Sequence, residues 1–292
     1  METPTFSIND MFSIAGQVAV VTGGGTGLGK AITNAFAING AKVIITGRRL
    51  DVLQKTANDI GGDIICIQGD VSTKTGVEDI VAQISEKTSV VDTLVNCAGV
   101  AIPFRTPIQD HNDPDSVEKL LAGVIDADFE KQNAVNINGV YFMTTLLVPL
   151  LRKSSNPNVT IIASTAGILN TRMTGSLTYG ISKAGAIHAA TLLAGRLHPL
   201  KIRVNCICPG VFPSDMTGKN SGGYHFDLAE PMRKAAARST LGRPGKPEEI
   251  AGPVVMLASK SGMYMNNALI IIDGGRSMVA SINDGIRLPE DS

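Results

Sequence analysis

Short apolar runs alternate with longer stretches of helical spacing along the chain. Residues 18–22 (VAVVT) form a β-branched run, residues 30–38 have helical periodicity, and 43–46 is strand-like again. Residues 50–60 read as a helix, 64–67 as a strand, 77–84 as a helix and 93–96 as a strand. The rhythm resumes with a long helix over 129–151, a strand over 159–163, a helix over 179–197, and strands over 202–206 and 268–272. Unbroken apolar strands separated by helices indicate a parallel sheet covered on both faces. Seven candidate strands, no internal repeat and right-handed crossovers predict a doubly wound α/β sheet in a single domain.

Two segments break the rhythm. Residues 101–128 are polar and turn-rich, with Pro103, Pro107 and Pro114, and residues 211–240 have no strong period. Both follow strands on the carboxyl side of the sheet, where open α/β folds bind ligands and long loops often act as lids. The second segment is read as a substrate lid. For the first, a lid and an ordinary surface insertion both stand. The expected organisation is an arm over 1–15, a nucleotide-binding domain over 16–278 that includes the 211–240 lid, and a tail over 279–292.

Composition narrows the function. The 292 residues are 43% hydrophobic, enough for a substantial core, and carry 26 basic and 26 acidic side chains without a block of like charge. A general affinity for nucleic acid or anionic membrane is therefore not expected. No basic-then-apolar leader pattern opens the chain and no uninterrupted apolar stretch of about 18 residues occurs, so neither a signal peptide nor a membrane span is expected. The four cysteines are Cys66, Cys97, Cys206 and Cys208. They read as buried free thiols rather than a metal site, with Cys206 and Cys208 expected on opposite sides of their strand. That fits a reducing, cytoplasmic setting. His111, His188, His198 and His225 are scattered without metal-ligand spacing, so no metal is expected. Tyr224 and His225 fall in the lid segment.

The first strand runs into Thr22-Gly23-Gly24-Gly25-Thr26-Gly27-Leu28-Gly29 and then a helix. Glycines allow a tight turn and a close backbone approach to a pyrophosphate, and the helix N-terminus adds free N–H groups. Further motifs follow: Asn96-Cys97-Ala98-Gly99, Asn136 in Asn-Ile-Asn-Gly, Ser164 at a strand end, Tyr179-Gly-Ile-Ser-Lys183, Pro209-Gly210, Arg243-Pro-Gly-Lys-Pro-Glu-Glu-Ile and Asp273-Gly-Gly. In this order they resemble the short-chain dehydrogenase/reductase family, in its single-domain, ketoacyl-reductase-like branch. The resemblance covers about residues 16–277 and implies a Rossmann-type fold.

It also implies roles. Gly23, Thr26, Gly27, Leu28 and Gly29 would hold the cofactor phosphates. Asp70 and Val71 would contact adenine, and Asn96, Ala98 and Gly99 would lie along the cofactor ribose. Pro209, Gly210, Val211 and Ser214 would hold the nicotinamide carboxamide. NAD-dependent relatives usually end the second strand with an acidic residue, and that position here is Gly47, followed by Arg48 and Arg49. Guanidinium groups suit a 2′-phosphate, so NADP(H) is the expected cofactor. Thr26 stands where many NADP-dependent relatives carry a basic residue.

Tyr179 and Lys183 lie four residues apart on a predicted helix and share one face. A tyrosine hydroxyl holds its proton too tightly for easy exchange at neutral pH, and a nearby ammonium favours the phenolate that remains. Tyr179 is thus a candidate general acid and base, and Ser164 a candidate polariser of a substrate carbonyl. The family role of Asn136 is to hold a water that links Lys183 to solvent, and Asn138 stands two residues on. Ser164 precedes Tyr179 by fifteen residues, which reads as a longer loop. The expected activity is NADPH-dependent reduction of a small-molecule ketone to a secondary alcohol, of the kind used in lipid or secondary-metabolite synthesis. A catalytically silent NADP(H)-binding sensor or scaffold is the alternative, with an epimerase or dehydratase ranked last. A homotetramer or homodimer is implied by the resemblance, and the methionines at 263 and 265 resemble a dimer-contact segment or else pack in the core.

Overall fold

The computed structural model describes residues 6–108, 110–169, 176–218 and 228–279. Tyr224, His225 and the tail beyond residue 279 lie outside these. Seven strands build one sheet: β1 (Val18–Thr22), β2 (Lys42–Gly47), β3 (Ile64–Gln68), β4 (Thr93–Asn96), β5 (Asn158–Ile162), β6 (Arg203–Pro209) and β7 (Leu269–Ile272). All pairings are parallel, in the order β3-β2-β1-β4-β5-β6-β7. The order reverses between β1 and β4, which places a crevice at their carboxyl ends.

Strand residues alternate between two cores, as the two-residue pleat requires. Val18, Val20, Ile44, Leu94, Val159 and Val204 enter one, together with Val77, Ile80 and Ile84 of α4 (Lys74–Lys87). Ala19, Val21, Val43, Ile45, Val95 and Ile207 enter the other, with Ile32 and Phe36 of α2 (Gly27–Ile38). The same pleat corrects the expectation for the cysteines. Cys206 and Cys208 are two apart, so they face the same core, not opposite sides. The Cys206 thiol hydrogen-bonds Cys208 and is buried, and both effects push it up.

The predicted helix over 129–151 is interrupted. It consists of α6 (Asp126–Asn133), a π-helical turn (Ala134–Gly139), α7 (Val140–Leu146) and α8 (Val148–Leu151). Pro149 explains the second break, because it lacks an N–H and its ring crowds the preceding turn. The π turn carries Asn136, and such turns are frequent at functional sites.

Several helices escaped the periodicity analysis. Within 101–128, Asp113 caps α5 (Pro114–Ala122) by accepting from the Ser116 N–H at 3.0 Å, with Pro114 in the first turn. The 211–240 segment holds α10 (Glu230–Ala237), and the arm holds α1 (Ile8–Phe12). Helix α11 (Pro247–Ala258) packs Ile250, Val254 and Leu257 into the second core, and Glu249 folds back on the Lys246 N–H at 2.7 Å. Arg243 pairs with Glu249 at 2.6 and 2.8 Å, which holds that carboxyl down to about 2. The remaining helices are α3 (Leu50–Ile60), α9 (Leu177–Leu197) and α12 (Arg276–Val279). Met263 is exposed, whereas Met265 packs against the second core. No described helix is long and apolar enough to cross a membrane.

Candidate active site

The glycine turn after β1 is held open by threonines from three elements. Thr22 accepts from the Cys97 and Ala98 N–H groups at 3.0 Å each, tying the turn to the end of β4. Thr33 of α2 donates to the carbonyls of Gly29 and Gly24, and Thr56 of α3 donates to that of Gly25 at 2.7 Å. With these carbonyls occupied behind the turn, the free N–H groups at the α2 N-terminus are left to face a ligand. The family motif contains Thr22, but Thr33 and Thr56 carried no sequence signal beyond helical spacing.

Glycine is required in this turn for identifiable reasons. Gly23 and Gly27 have φ of +67° and +50°, a region costly for other residues. A Cβ on Gly23 would stand 2.9 Å from Ala98 Cα, and one on Gly29 would overlap the Gly23 carbonyl. Thr26 precedes α2, and its side chain makes no cap hydrogen bond. Leu28 packs on the second core.

A cleft continues from this turn, lined by Gly23, Thr26, Gly47, Arg48 and Arg49 on one side and by Asp70, Val71, Ala98 and Gly99 on the other. Arg48, Arg49, Asp70 and Val71 are the residues expected at the adenosine end of the cofactor, Gly23 and Thr26 at its phosphates, and Ala98 and Gly99 along its ribose. Asp70 accepts from the Ser72 N–H at 2.9 Å, and Gln68 donates to the Arg48 carbonyl at 2.9 Å. Arg49 reaches Asp215 at 3.6 Å, a contact absent from the sequence reading. Asn96, at the end of β4, turns its side chain away from the cleft. Its buried carboxamide donates to Thr144 of α7 at 3.0 Å, so that donor group ties β4 to the helix layer.

Pro209 ends β6, and Gly210 passes so close to Asp273 that a Cβ there would stand 2.6 Å from the Asp273 Cβ. Val211 accepts from the Gly245 N–H at 2.9 Å. Thr217 closes the following turn by donating to the Phe212 carbonyl at 2.6 Å and accepting from the Ser214 N–H at 2.9 Å. A Cβ on Gly27 would stand 3.0 Å from the Ser214 Cβ. The post-β6 segment therefore lies against the glycine turn at Ser214 and reaches Arg49 through Asp215.

The four expected catalytic residues come from three elements. Ser164 caps a single 3-10 turn (Thr165–Gly167), where its Oγ accepts from the Ala166 N–H at 3.1 Å. Tyr179 and Lys183 lie on α9, whose N-cap Ser176 accepts from the Tyr179 N–H. A Cβ on Gly167 would stand 2.6 Å from the backbone at Lys183 and Ala184, so the Ser164 turn rests directly on α9 beside Lys183. Residues 170–175, in the longer loop between Ser164 and Tyr179, lie outside the described residues.

Lys183 is 5% exposed; its Nζ donates to the Ile162 carbonyl at 3.0 Å and sits 5.8 Å from the centre of the Tyr179 ring. A Cβ on Gly99 would stand 3.4 Å from both Lys183 Nζ and Asn136 Oδ1, so the bare Gly99 opens onto both groups. Asn136 is buried and Asn138 exposed. Asn136 donates to the Val100 carbonyl and to Ser182 Oγ and accepts from the Val100 N–H, each at 2.9 Å. Both its N–H donors are thus committed, and Oδ1 keeps one lone pair near Lys183. Burial pushes the neighbouring Cys97 thiol up to about 12, so it stays neutral beside this lysine at ordinary pH. Among the described residues, no group of three or more His, Cys, Asp or Glu side chains could hold a metal.

Three comparisons bear on this arrangement. A family profile described as short chain dehydrogenase matches residues 17–224. The short-chain dehydrogenase/reductase PhomF of Diaporthe leptostromiformis is 36% identical over 285 residues, which cover 95% of this chain and 97% of that protein. The 3-oxoacyl-(acyl-carrier-protein) reductase FabG of Thermotoga maritima is 33% identical over 266 residues, covering 90% and 98%. The structure described as the Pseudomonas aeruginosa RhlG/NADP active-site complex superposes with a TM-score of 0.77 at 32% identity, covering 92% of this chain and 99% of that one.

Proposed function

The chain belongs to the short-chain dehydrogenase/reductase family of oxidoreductases, and on that premise we propose that it reduces a ketone to a secondary alcohol with NADPH. The observation that carries this reading is the setting of Lys183, buried between Ile162 and Asn136 and one helical turn beyond Tyr179. A structural lysine has no need of such burial, whereas a proton-transfer site gains a fixed positive charge in a place of low polarity.

The cleft suits a dinucleotide phosphate. The glycine turn gives bare backbone beside a helix N-terminus, Gly99 leaves space in front of Lys183, and Arg48 and Arg49 stand beyond β2 with no carboxylate at Gly47. The RhlG structure was described with NADP, which supports the same choice. When bound, NADPH would supply a hydride to the substrate carbonyl carbon.

The protein's own groups then do the rest. The Ser164 Oγ already accepts from Ala166, so its own proton is free to donate to the carbonyl oxygen and polarise it. Tyr179 gives its hydroxyl proton to that oxygen as the alcohol forms. The Lys183 ammonium stabilises the phenolate left behind, and its remaining N–H groups face the space at Gly99, where the cofactor ribose would lie. Asn136 holds Val100 and Ser182 in place around this charge.

Relatives described as 3-oxoacyl reductases and as a fungal short-chain dehydrogenase support a ketone of lipid or secondary metabolism as substrate. Exposed Tyr141, Leu177, Ile181 and Leu192 on α7 and α9, and Leu269 and Ile271 on β7, support a homodimer or homotetramer. The test is NADPH consumption over a panel of ketoacyl thioesters, steroids, sugars and polyketides, with NADH and the Tyr179→Phe variant alongside. Turnover that requires NADPH and vanishes in Tyr179→Phe is expected. Unchanged turnover in the variant refutes the mechanism, and tight NADPH binding without turnover on any carbonyl favours the sensor or scaffold reading.

A further inference from the structure

Three polar side chains at four-residue spacing line the helix beneath the active site. Asp128, 4% exposed, takes the Arg105 guanidinium through hydrogen bonds of 2.8–3.1 Å. Gln132, fully buried, accepts from the Ile102 N–H at 3.1 Å and donates to the Asp128 carbonyl and to Thr178 Oγ1. Asn136 holds both backbone groups of Val100 and the Ser182 hydroxyl. The stripe therefore grips residues 100–105 on one side and the first turns of α9 on the other. Thr178 and Ser182 immediately precede Tyr179 and Lys183.

Gln132 is the middle rung and the least explained by packing. A buried polar group costs free energy unless its hydrogen bonds are made. A methionine of similar size would fill the space without that cost. Gln132 has both N–H donors and its oxygen engaged, and the partners lie on three separate segments. Arg105–Asp128 alone would hold the outer end of the loop, and Asn136 alone would hold Val100. Among the described residues, Gln132 joins Ile102 in the middle of the loop to Thr178 in the first turn of α9, one turn before the Val100–Ser182 bridge made by Asn136.

We propose that Gln132 is a positioning residue that locks the 100–105 segment to the first turn of α9 and so fixes where the Tyr179 hydroxyl meets the substrate carbonyl. The inference rests on the reductase reading. Gln132 touches neither substrate nor cofactor; it acts through Thr178 and Ile102.

The test compares Gln132→Met with Gln132→Glu in the full-length protein. Gln132→Met keeps the volume and loses every bridge. Its kcat per NADPH-binding molecule is expected to fall about tenfold or more, since small misplacements at a reacting centre carry large penalties, while NADPH affinity stays unchanged. In Gln132→Glu, a buried carboxyl beside Asp128 is pushed toward its neutral form. The neutral acid accepts from Ile102 and donates to Thr178 as the amide does, so activity should recover as pH falls, whereas Gln132→Met stays low throughout. Wild-type kcat per folded Gln132→Met molecule would overturn the proposal, as would a Gln132→Glu variant that is as impaired as Gln132→Met at every pH. Amide hydrogen exchange separates this result from the parent reading. Protection lost together in 100–105 and 177–183 of Gln132→Met sustains the coupling even if wild type reduces no carbonyl. Protection lost in only one segment, or in neither, overturns it.

Discussion

Gly29→Ala and Gly25→Ala should behave differently, although both replace glycines of the same turn. A methyl group on Gly29 would overlap the Gly23 carbonyl oxygen and stand 2.8 Å from the Gly23 carbonyl carbon and 3.1 Å from Gly24 Cα. All three atoms are backbone, and the Gly23 N–H is itself bonded to Thr46 at 2.7 Å. Relief needs the turn to open by about 1 Å, and overpacking against a constrained wall costs about 3 kcal/mol. That cost must appear as lost stability, as lost cofactor affinity, or as a division between them. If the turn opens only when no ligand demands its closed form, NADPH affinity falls about 100-fold. A methyl on Gly25 meets the side chains of Leu53 and Val52 at 3.1 and 3.3 Å and backbone only at an ordinary 3.6 Å, so a change of less than about 1 kcal/mol is expected there. Thermal unfolding and NADPH fluorescence titration of both variants give the two parts of the sum. Gly29→Ala with wild-type affinity and wild-type melting would show that the turn yields freely and that the close approach of α2 to it is not a constraint.

Two further outcomes follow from charges at opposite ends of the molecule. Arg203 lies buried at the start of β6 and donates to the carbonyls of Gly262 at 2.8 Å and Leu257 at 3.0 Å, and to Asn156 Oδ1 at 3.0 Å. Burial pulls this guanidinium down to about 10, which leaves it charged at neutral pH. Arg203→Met should destabilise the fold by about 3–5 kcal/mol, read by urea unfolding, because the abandoned carbonyls close the end of α11; a loss under about 1 kcal/mol would contradict this. The sign for pH is that of a base with a lowered folded value: its burial penalty is constant below about 10 and relaxes above it. At the cleft, Asp215 would compete with a 2′-phosphate for Arg49, if the cofactor is NADPH as proposed. Asp215→Asn is expected to tighten NADPH binding by about two- to fivefold, consistent with an exposed pair, with no gain for NADH and less gain at high salt. Equal gains for both cofactors would place the effect elsewhere.

The sequence by itself determined the sheet and the chemistry carried by local spacing. Val18–Thr22 and the other central strands are legible because a strand buried on both faces must be apolar throughout, and the edge strands β3 and β7 because they too are short apolar runs. The glycine turn is legible because positive φ and close backbone contact exclude most side chains, and the Tyr179–Lys183 pair because four residues make about one helical turn. The shared face of Cys206 and Cys208 was equally local and follows from the pleat alone. Helix α5 also left a local sign in Asp113-Pro114, but within a polar segment the cap outweighs periodicity. Only the tertiary structure decided the rest. The π turn at Asn136, the turn of Asn96 toward Thr144, and the ties from Gln132 to Ile102 and Thr178 depend on partners 30 to 48 residues away. A buried amide is read as polar in any sequence. What makes it a clamp is the pair of segments that folding brings to its two ends.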